Sequence, residues 1–165
     1  MRPITLLAVA CAPLALSGCF TAEQAWLTDA NSVAPYQTIT FQESDSTDVN
    51  VLNRAGSAYL YSDDDVTLAM RFMPLPGRTD WYVVEVSGED EGDIARLYAV
   101  LKVDLTAMTG STYLAVAGED DTGPGLRECE DMMVCIDDLE AYVAHATAAI
   151  DAGAEPVAVY AITVQ

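Results

Sequence analysis

Basic residues are scarce in this 165-residue chain. It contains 7 lysines and arginines against 26 aspartates and glutamates, so its formal net charge at pH 7 is −19. A surface of this charge repels phosphate backbones and anionic lipid headgroups. The sequence therefore predicts no nucleic-acid partner, and any attachment to a membrane must rely on something other than a basic patch.

Recognisable catalytic motifs are missing as well. His145 is the only histidine, and its position to the side of an apolar helical stripe indicates a surface residue. No serine lies in a Gly-x-Ser-x-Gly motif. Carboxylates are so abundant that any two loops supply a pair, which gives no glycosidase signature. We therefore predict that the chain is not an enzyme, and an envelope hydrolase is the alternative.

Only the first segment contains a long apolar run, over residues 4–16. A helix that spans a bilayer needs about 20 apolar residues, so this run is short for that purpose. Arg2 precedes the run and the small residues Ser17 and Gly18 follow it. A charged start, a short apolar stretch and small residues are typical of a removable export signal.

The string Leu16-Ser17-Gly18-Cys19 resembles the lipobox of bacterial lipoproteins. The resemblance implies that the signal is cut before Cys19, that the Cys19 sulfur carries a diacylglycerol, and that the new amine is acylated, for example by palmitate. Two or three acyl chains anchor a protein firmly, because each buried methylene contributes roughly 0.8 kcal/mol. An ordinary secretory signal is the alternative.

The same resemblance bears on location and on domain organisation. Phe20, not Asp, follows Cys19, and in lipoproteins of two-membrane bacteria Asp at that position tends to retain the protein in the inner membrane. The periplasmic face of the outer membrane is therefore expected. We divide the chain into a signal peptide (1–18), a lipidated N-terminus and flexible tether (19–35) and one globular domain (36–165). The mature chain keeps 6 basic and 26 acidic residues, a net charge of −20.

Two cysteines remain in the mature chain besides Cys19. Cys129 and Cys135 lie in a short acidic stretch, and an exported protein meets an oxidising compartment, so we predict a disulfide between them. Closing so small a loop stabilises the fold by roughly 2 kcal/mol. A zinc site is the alternative, although zinc needs three or four ligands.

Apolar and polar residues alternate along most of the mature chain. This period of two, with enrichment in β-branched and aromatic residues, is typical of strands, and short connections favour antiparallel neighbours. The predicted fold class is α+β, mainly an antiparallel sheet of about six or seven strands with one helix in the C-terminal half and a last strand after it. The strand-like segments are residues 37–41, 57–61, 66–72, 81–86, 95–103, 113–117 and 157–164.

The period changes to helical spacing after Cys135. Leu139, Val143, Ala146 and Ile150 share one face. Asp137 is the predicted N-cap, with Glu140 three residues later. Gly153 is the predicted stop.

Acidic residues concentrate in the predicted loops. Calcium takes six to eight oxygen ligands, so these loops are candidate calcium sites, although none has EF-hand spacing. The alternative is a solvated rim that keeps the protein soluble. The candidates are Asp63, Asp64, Asp65, Glu89, Asp90, Glu119, Asp120 and Asp121.

Several aromatic residues lie in or beside the predicted strands. They are candidates for one exposed face that binds a glycan or an envelope protein, and the alternative is that they complete the core. These residues are Tyr59, Tyr61, Trp81, Tyr82 and Tyr98. The function expected from the sequence is therefore a non-catalytic binding or interaction module, anchored to the membrane through Cys19. A calcium-responsive domain is the alternative.

Overall fold

The computed structural model describes residues 19–44, 46–63, 66–90, 92–114, 123–129 and 133–165. These ranges contain eleven strands and one helix. In chain order the elements are β1 (Phe20–Thr21), β2 (Thr38–Glu43), β3 (Asn50–Ala55), β4 (Ala58–Ser62), β5 (Thr67–Pro74), β6 (Trp81–Asp90), β7 (Asp93–Asp104), β8 (Thr109–Tyr113), β9 (Leu126–Glu128), β10 (Val134–Ile136), α1 (Leu139–Asp151) and β11 (Ala158–Val164).

Eight of the strands form a closed antiparallel barrel. They follow one another in the order β6-β5-β4-β3-β2-β11-β8-β7, and β7 then pairs with β6 along its length. The predicted α+β sheet of six or seven strands is therefore wrong both in strand number and in being open. The alternation of apolar and polar residues is the same in an open sheet and in a barrel, so the pattern does not show that the two edge strands meet.

Three short strands branch from the barrel wall. β8 pairs with β7 only from Val100 to Asp104. Beyond that point β1 takes its place, pairing with β7 at Tyr98 and Leu97. β10 runs parallel to β1, and β9 pairs antiparallel to β10. The branch creates a second layer outside the barrel, onto which α1 packs.

The predicted disulfide is confirmed. Cys129 follows β9 and Cys135 lies in β10, with their Cα atoms 5.7 Å apart. The bond links the two sides of the β9–β10 hairpin, which leads directly into α1. It therefore reinforces the outer layer and not the barrel wall.

The helix begins and ends close to the predicted points. The Asp138 carboxylate accepts a hydrogen bond from the Glu140 amide at 2.9 Å and caps the first turn. The predicted cap, Asp137, is therefore wrong by one residue, and its carboxylate instead binds Arg127 at 3.0 Å. Gly153 ends the helix at φ +89°, as predicted. Within the described ranges, no helix has the length and apolar character needed to cross a membrane.

The segment assigned to a flexible tether packs against the barrel from residue 20 onward. Phe20 is 3% exposed and Leu27 1% exposed. The Leu27 amide donates to the buried Glu85 carboxylate at 3.2 Å. Farther along, Val33 pairs with Phe72 of β5. The physical reason is that the outward face of β6 and β7 is also apolar, and this segment covers it.

Two separate apolar clusters follow from this arrangement. The outer cluster lies between the barrel wall and its cover, and none of its buried members is more than 6% exposed. The lumen cluster fills part of the barrel interior around four buried residues. The outer cluster is built on Phe20, Ala22, Leu27, Leu75, Val83, Tyr98, Val100, Leu126, Ile136, Tyr142 and Ala146, and the lumen cluster on Leu52, Tyr59, Phe72 and Val84.

Candidate functional site

The barrel lumen is lined almost entirely by apolar side chains. Every second residue of a strand faces inward, as the pleat requires. The inward sets include Ile39 and Phe41 in β2 and Ile162 in β11. The longer sets are Leu68, Met70 and Phe72 in β5, Tyr82, Val84 and Val86 in β6, and Ala99, Leu101 and Val103 in β7.

This lumen is not filled by its own side chains. Ile39, Phe41, Met70 and Leu101 are only half-buried although they face the barrel axis. The cavity between them has a volume of about 220 Å³. Protein interiors are packed as densely as organic crystals and contain few voids larger than one water molecule. An apolar cavity of about 150 Å³ suffices to hold benzene, so this lumen has room for a slim apolar molecule.

One end of the barrel is crossed by residues 33–37, which we call the strap. The Tyr36 amide donates to the Tyr59 hydroxyl, and that hydroxyl donates to the Tyr36 carbonyl, both at 3.0 Å. The Gln37 amide donates to the Gln165 carbonyl at 2.6 Å. Burial raises the pKa of Tyr59, which keeps the hydroxyl neutral and able to make both bonds. Pro35 and Tyr36 line the lumen at this end, so we infer that a ligand enters at the other.

The opposite end, which we call the acidic end, gathers the acidic loops. Successive strands of an antiparallel ring alternate in direction, so the β2–β3, β4–β5 and β6–β7 connections and the end of β8 all lie at one end. The Tyr61 hydroxyl donates to the Asp63 carboxylate there, at 3.1 Å. Burial and this bond raise the pKa of Tyr61. Asp48 lies in the β2–β3 loop, and Glu89 in β6 and Asp93 in β7 lie next to the β6–β7 connection.

Glu43 is the one charged residue among the described side chains that line the lumen. It is the last residue of β2 and is half-buried. Tyr160 of β11 lies directly opposite it in the pairing register. Burial, and to a smaller extent the Glu43 charge, raise the pKa of Tyr160. Among the described residues, no basic side chain lies within salt-bridge distance of Glu43.

Sequence reasoning did not single out Glu43, although a signal was present. Glu43 is spaced by two from Phe41 and by four from Ile39, so it belongs to the same inward face. The candidate ligands predicted from the sequence were runs of acidic residues in loops. The carboxylate that reaches the lumen is instead Glu43, at the end of a strand whose apolar residues alternate.

The five aromatic residues predicted to share a face are divided by the barrel wall. Tyr59, Tyr61 and Tyr82 line the lumen. Tyr98 is 1% exposed and belongs to the outer cluster. Trp81 packs against Tyr113 outside the barrel, with ring centroids 5.0 Å apart. The structure therefore brings three of the five together, inside the barrel and not on its surface.

The candidate calcium ligands are only partly described. The Asp63 carboxylate accepts from the Val66 amide at 2.8 Å and from Tyr61, so it serves the β4–β5 turn. Glu89 is exposed near the end of β6, beside Asp90. In the part of the chain that the structure describes, no group of three His, Cys, Asp or Glu residues is arranged to hold a metal ion. The candidates outside the described residues are Asp64, Asp65, Glu119, Asp120 and Asp121.

Cys19 lies immediately before β1, and its carbonyl accepts from the Val134 amide of β10 at 2.9 Å. This backbone hydrogen bond ties Cys19 to the outer layer.

The barrel thus encloses an apolar cavity whose two ends differ. The wall is apolar, the strap crosses one end, and carboxylates surround the other. No protein family, no curated protein and no solved structure matches the chain.

Proposed function

We propose that this chain is an envelope lipoprotein whose barrel binds a small, mainly apolar ligand in its lumen. The observation that carries the proposal is the unfilled cavity of about 220 Å³. The outer cluster of the same domain is tightly buried, with none of its buried members more than 6% exposed, whereas several lumen side chains are only half-buried. Eight-stranded barrels have an interior that side chains can fill or that can hold one small ligand.

The expected driving force is burial of apolar ligand surface, at roughly 25 cal/mol per Å². The aromatic rings Phe41, Tyr61 and Phe72 and the flexible side chain of Met70 supply the contacts. Apart from Glu43, the polar groups of the lining are neutral, as in Asn50 and Thr112. This composition is typical of sites that bind small molecules, where a few polar groups fix the orientation.

A substitution that fills the lumen tests the proposal. Ala99 faces the lumen from β7, opposite Val84 of β6, and Ala99→Phe places a ring in the cavity. We expect octan-1-ol to bind the unmodified protein in isothermal titration calorimetry, and Ala99→Phe to weaken that binding at least about tenfold, since most of the space is lost.

Ala161→Phe is the matched control, because Ala161 is exposed on the outer wall of β11. It makes the same chemical change without entering the lumen, and its octanol affinity should equal that of the unmodified chain. The proposal fails if the unmodified protein does not bind octanol. It also fails if Ala99→Phe binds octanol as well as Ala161→Phe does, because the site would then lie elsewhere.

The lipid anchor is the second part of the proposal. Its support is the lipobox-like string that ends at Cys19. Because Phe20 is buried in β1, acyl chains on Cys19 would hold the barrel at the membrane without a flexible spacer. Mass spectrometry of protein extracted from bacterial membranes should show an N-terminal Cys19 that carries two or three acyl chains. Retention of residues 1–18, or an unmodified thiol on Cys19, would contradict this.

A further inference from the structure

We propose that the lumen ligand is a cationic amphiphile, whose apolar part fills the cavity while its ammonium group lies at the acidic end beside Glu43. This inference rests on the proposed lumen function and adds the charge of the ligand to it. Its starting point is that one charged side chain interrupts an otherwise uncharged lining.

Glu43 is half-buried and lines an apolar space. An anion that loses part of its hydration is costly unless a cation or hydrogen-bond donors compensate it. Among the described residues, no lysine or arginine reaches this carboxylate. A ligand ammonium group would provide the missing positive charge.

Aromatic side chains also line the lumen toward the acidic end. Phe41 and Tyr160 meet edge to face with centroids 5.8 Å apart, and Tyr160 lies opposite Glu43. Tyr61 lines the lumen toward the same end. Ring faces attract cations within about 6 Å, most strongly where water is excluded. A carboxylate among aromatic rings favours a bulky organic cation over a neutral or anionic group.

The electrostatic field of the other acidic residues also favours a cationic ligand. The acidic end includes Asp48, Asp63, Glu89 and Asp93, which lie in or next to its loops, and the mature chain has a net charge of −20. Such a field attracts cations to the entrance and repels carboxylates such as those of fatty acids.

None of the described basic side chains lines the lumen. Arg71 pairs with Asp29 at 2.7 Å, and Arg78 pairs with Asp151. Lys102 lies over the ring of Trp81 on the outer wall. Arg96 donates to the Glu23 carbonyl at 3.0 Å, also outside the barrel. An anionic headgroup inside the lumen would therefore meet no described counter-charge.

Three probes with one tail separate charge from apolar binding. These are octyltrimethylammonium, octan-1-ol and octanoate, titrated calorimetrically into the purified mature protein at low salt. We expect octyltrimethylammonium to bind about tenfold more tightly than octanol, and octanoate to bind most weakly. Raising the salt to 0.5 M should narrow these differences, because exposed charges are then screened.

Glu43→Gln tests whether the Glu43 charge is responsible for the preference, since the variant keeps the shape of the side chain and removes the charge. We expect the ratio of the octyltrimethylammonium and octanol affinities to fall from about ten to near one. Glu128→Gln is the control, because Glu128 is exposed on β9 in the outer layer. Its affinity ratio should equal that of the unmodified protein.

The outcomes distinguish the two proposals. If octanol does not bind, the lumen function itself fails. If octanol binds as tightly as octyltrimethylammonium, the lumen function stands and the charge inference is overturned. Retention of the full cation preference by Glu43→Gln overturns the assignment to Glu43.

Discussion

The folding equilibrium constant of the domain is expected to fall steeply above pH 10. Tyr98 and Tyr142 are 1% and 0% exposed, and burial raises the pKa of both, with a further contribution to Tyr98 from its hydrogen bond to Glu85. In the unfolded chain a tyrosine ionises near pH 10. Because the folded pKa is raised, the stabilisation is fully present below pH 10 and is lost as the pH rises beyond it. Each of the two tyrosines then lowers the equilibrium constant by about tenfold per pH unit.

Urea unfolding measured between pH 8 and pH 11.5 checks this expectation. Tyr142→Phe should remove about one factor of ten per pH unit from the decline above pH 10. In addition, the Tyr142 hydroxyl is buried with no hydrogen-bond partner among the described residues. The variant should therefore be more stable by about 1 kcal/mol at pH 7, because an unsatisfied buried hydroxyl is costly. An unchanged alkaline slope in Tyr142→Phe would contradict the assignment.

Replacement of Glu85 by alanine is expected to destabilise the domain by about 3 kcal/mol, because two buried donors lose a charged acceptor. Glu85 is 3% exposed and lies on the outward face of β6. Its carboxylate accepts hydrogen bonds from the Leu27 amide and the Tyr98 hydroxyl. That hydroxyl in turn accepts from the Trp26 amide at 3.1 Å. This network fixes the N-terminal segment to the barrel wall.

Glu85→Gln provides the comparison, since it retains an acceptor oxygen and a similar volume. Its loss should be near 1 kcal/mol in urea unfolding. Amide hydrogen exchange in Glu85→Ala should show faster exchange at Leu27 than in the unmodified protein under native conditions. Equal stabilities of Glu85→Ala and Glu85→Gln would show that the carboxylate makes no net contribution through these bonds.

The alternation in the sequence groups the side chains of several strands in the same way as the structure does. Ile39 with Phe41, and Leu68, Met70 and Phe72, share a face in the pattern and face the lumen in the structure. Tyr82, Val84 and Val86 behave in the same way. Side-chain alternation is a property of the strand itself, so it can be read without knowledge of the partner strands. The helix at residues 139–151, its glycine stop and the disulfide are similarly local.

The strand β3 was missed for an equally local reason. Its residues Asn50–Ala55 include two asparagines and an arginine, which weaken the alternation. Only pairing with β2 and β4 on either side makes this segment a strand. The segment from Phe20 to Pro35 resembled a tether because its few apolar residues have no period, and only the apolar outer face of β6 and β7 gives them a place to pack.

By itself the sequence determined the acidic composition, the export-signal pattern, the residues that share a face of each strand, and the disulfide between Cys129 and Cys135. Only the tertiary structure decided that β7 returns to β6 and closes a barrel, that acidic loops far apart in the chain lie at one end, and that Glu43 joins an apolar cavity. The physical reason is that alternation and turn chemistry act over a few residues. Ring closure, unfilled volume and the gathering of charges depend on contacts between residues far apart in the chain, which leave no local pattern.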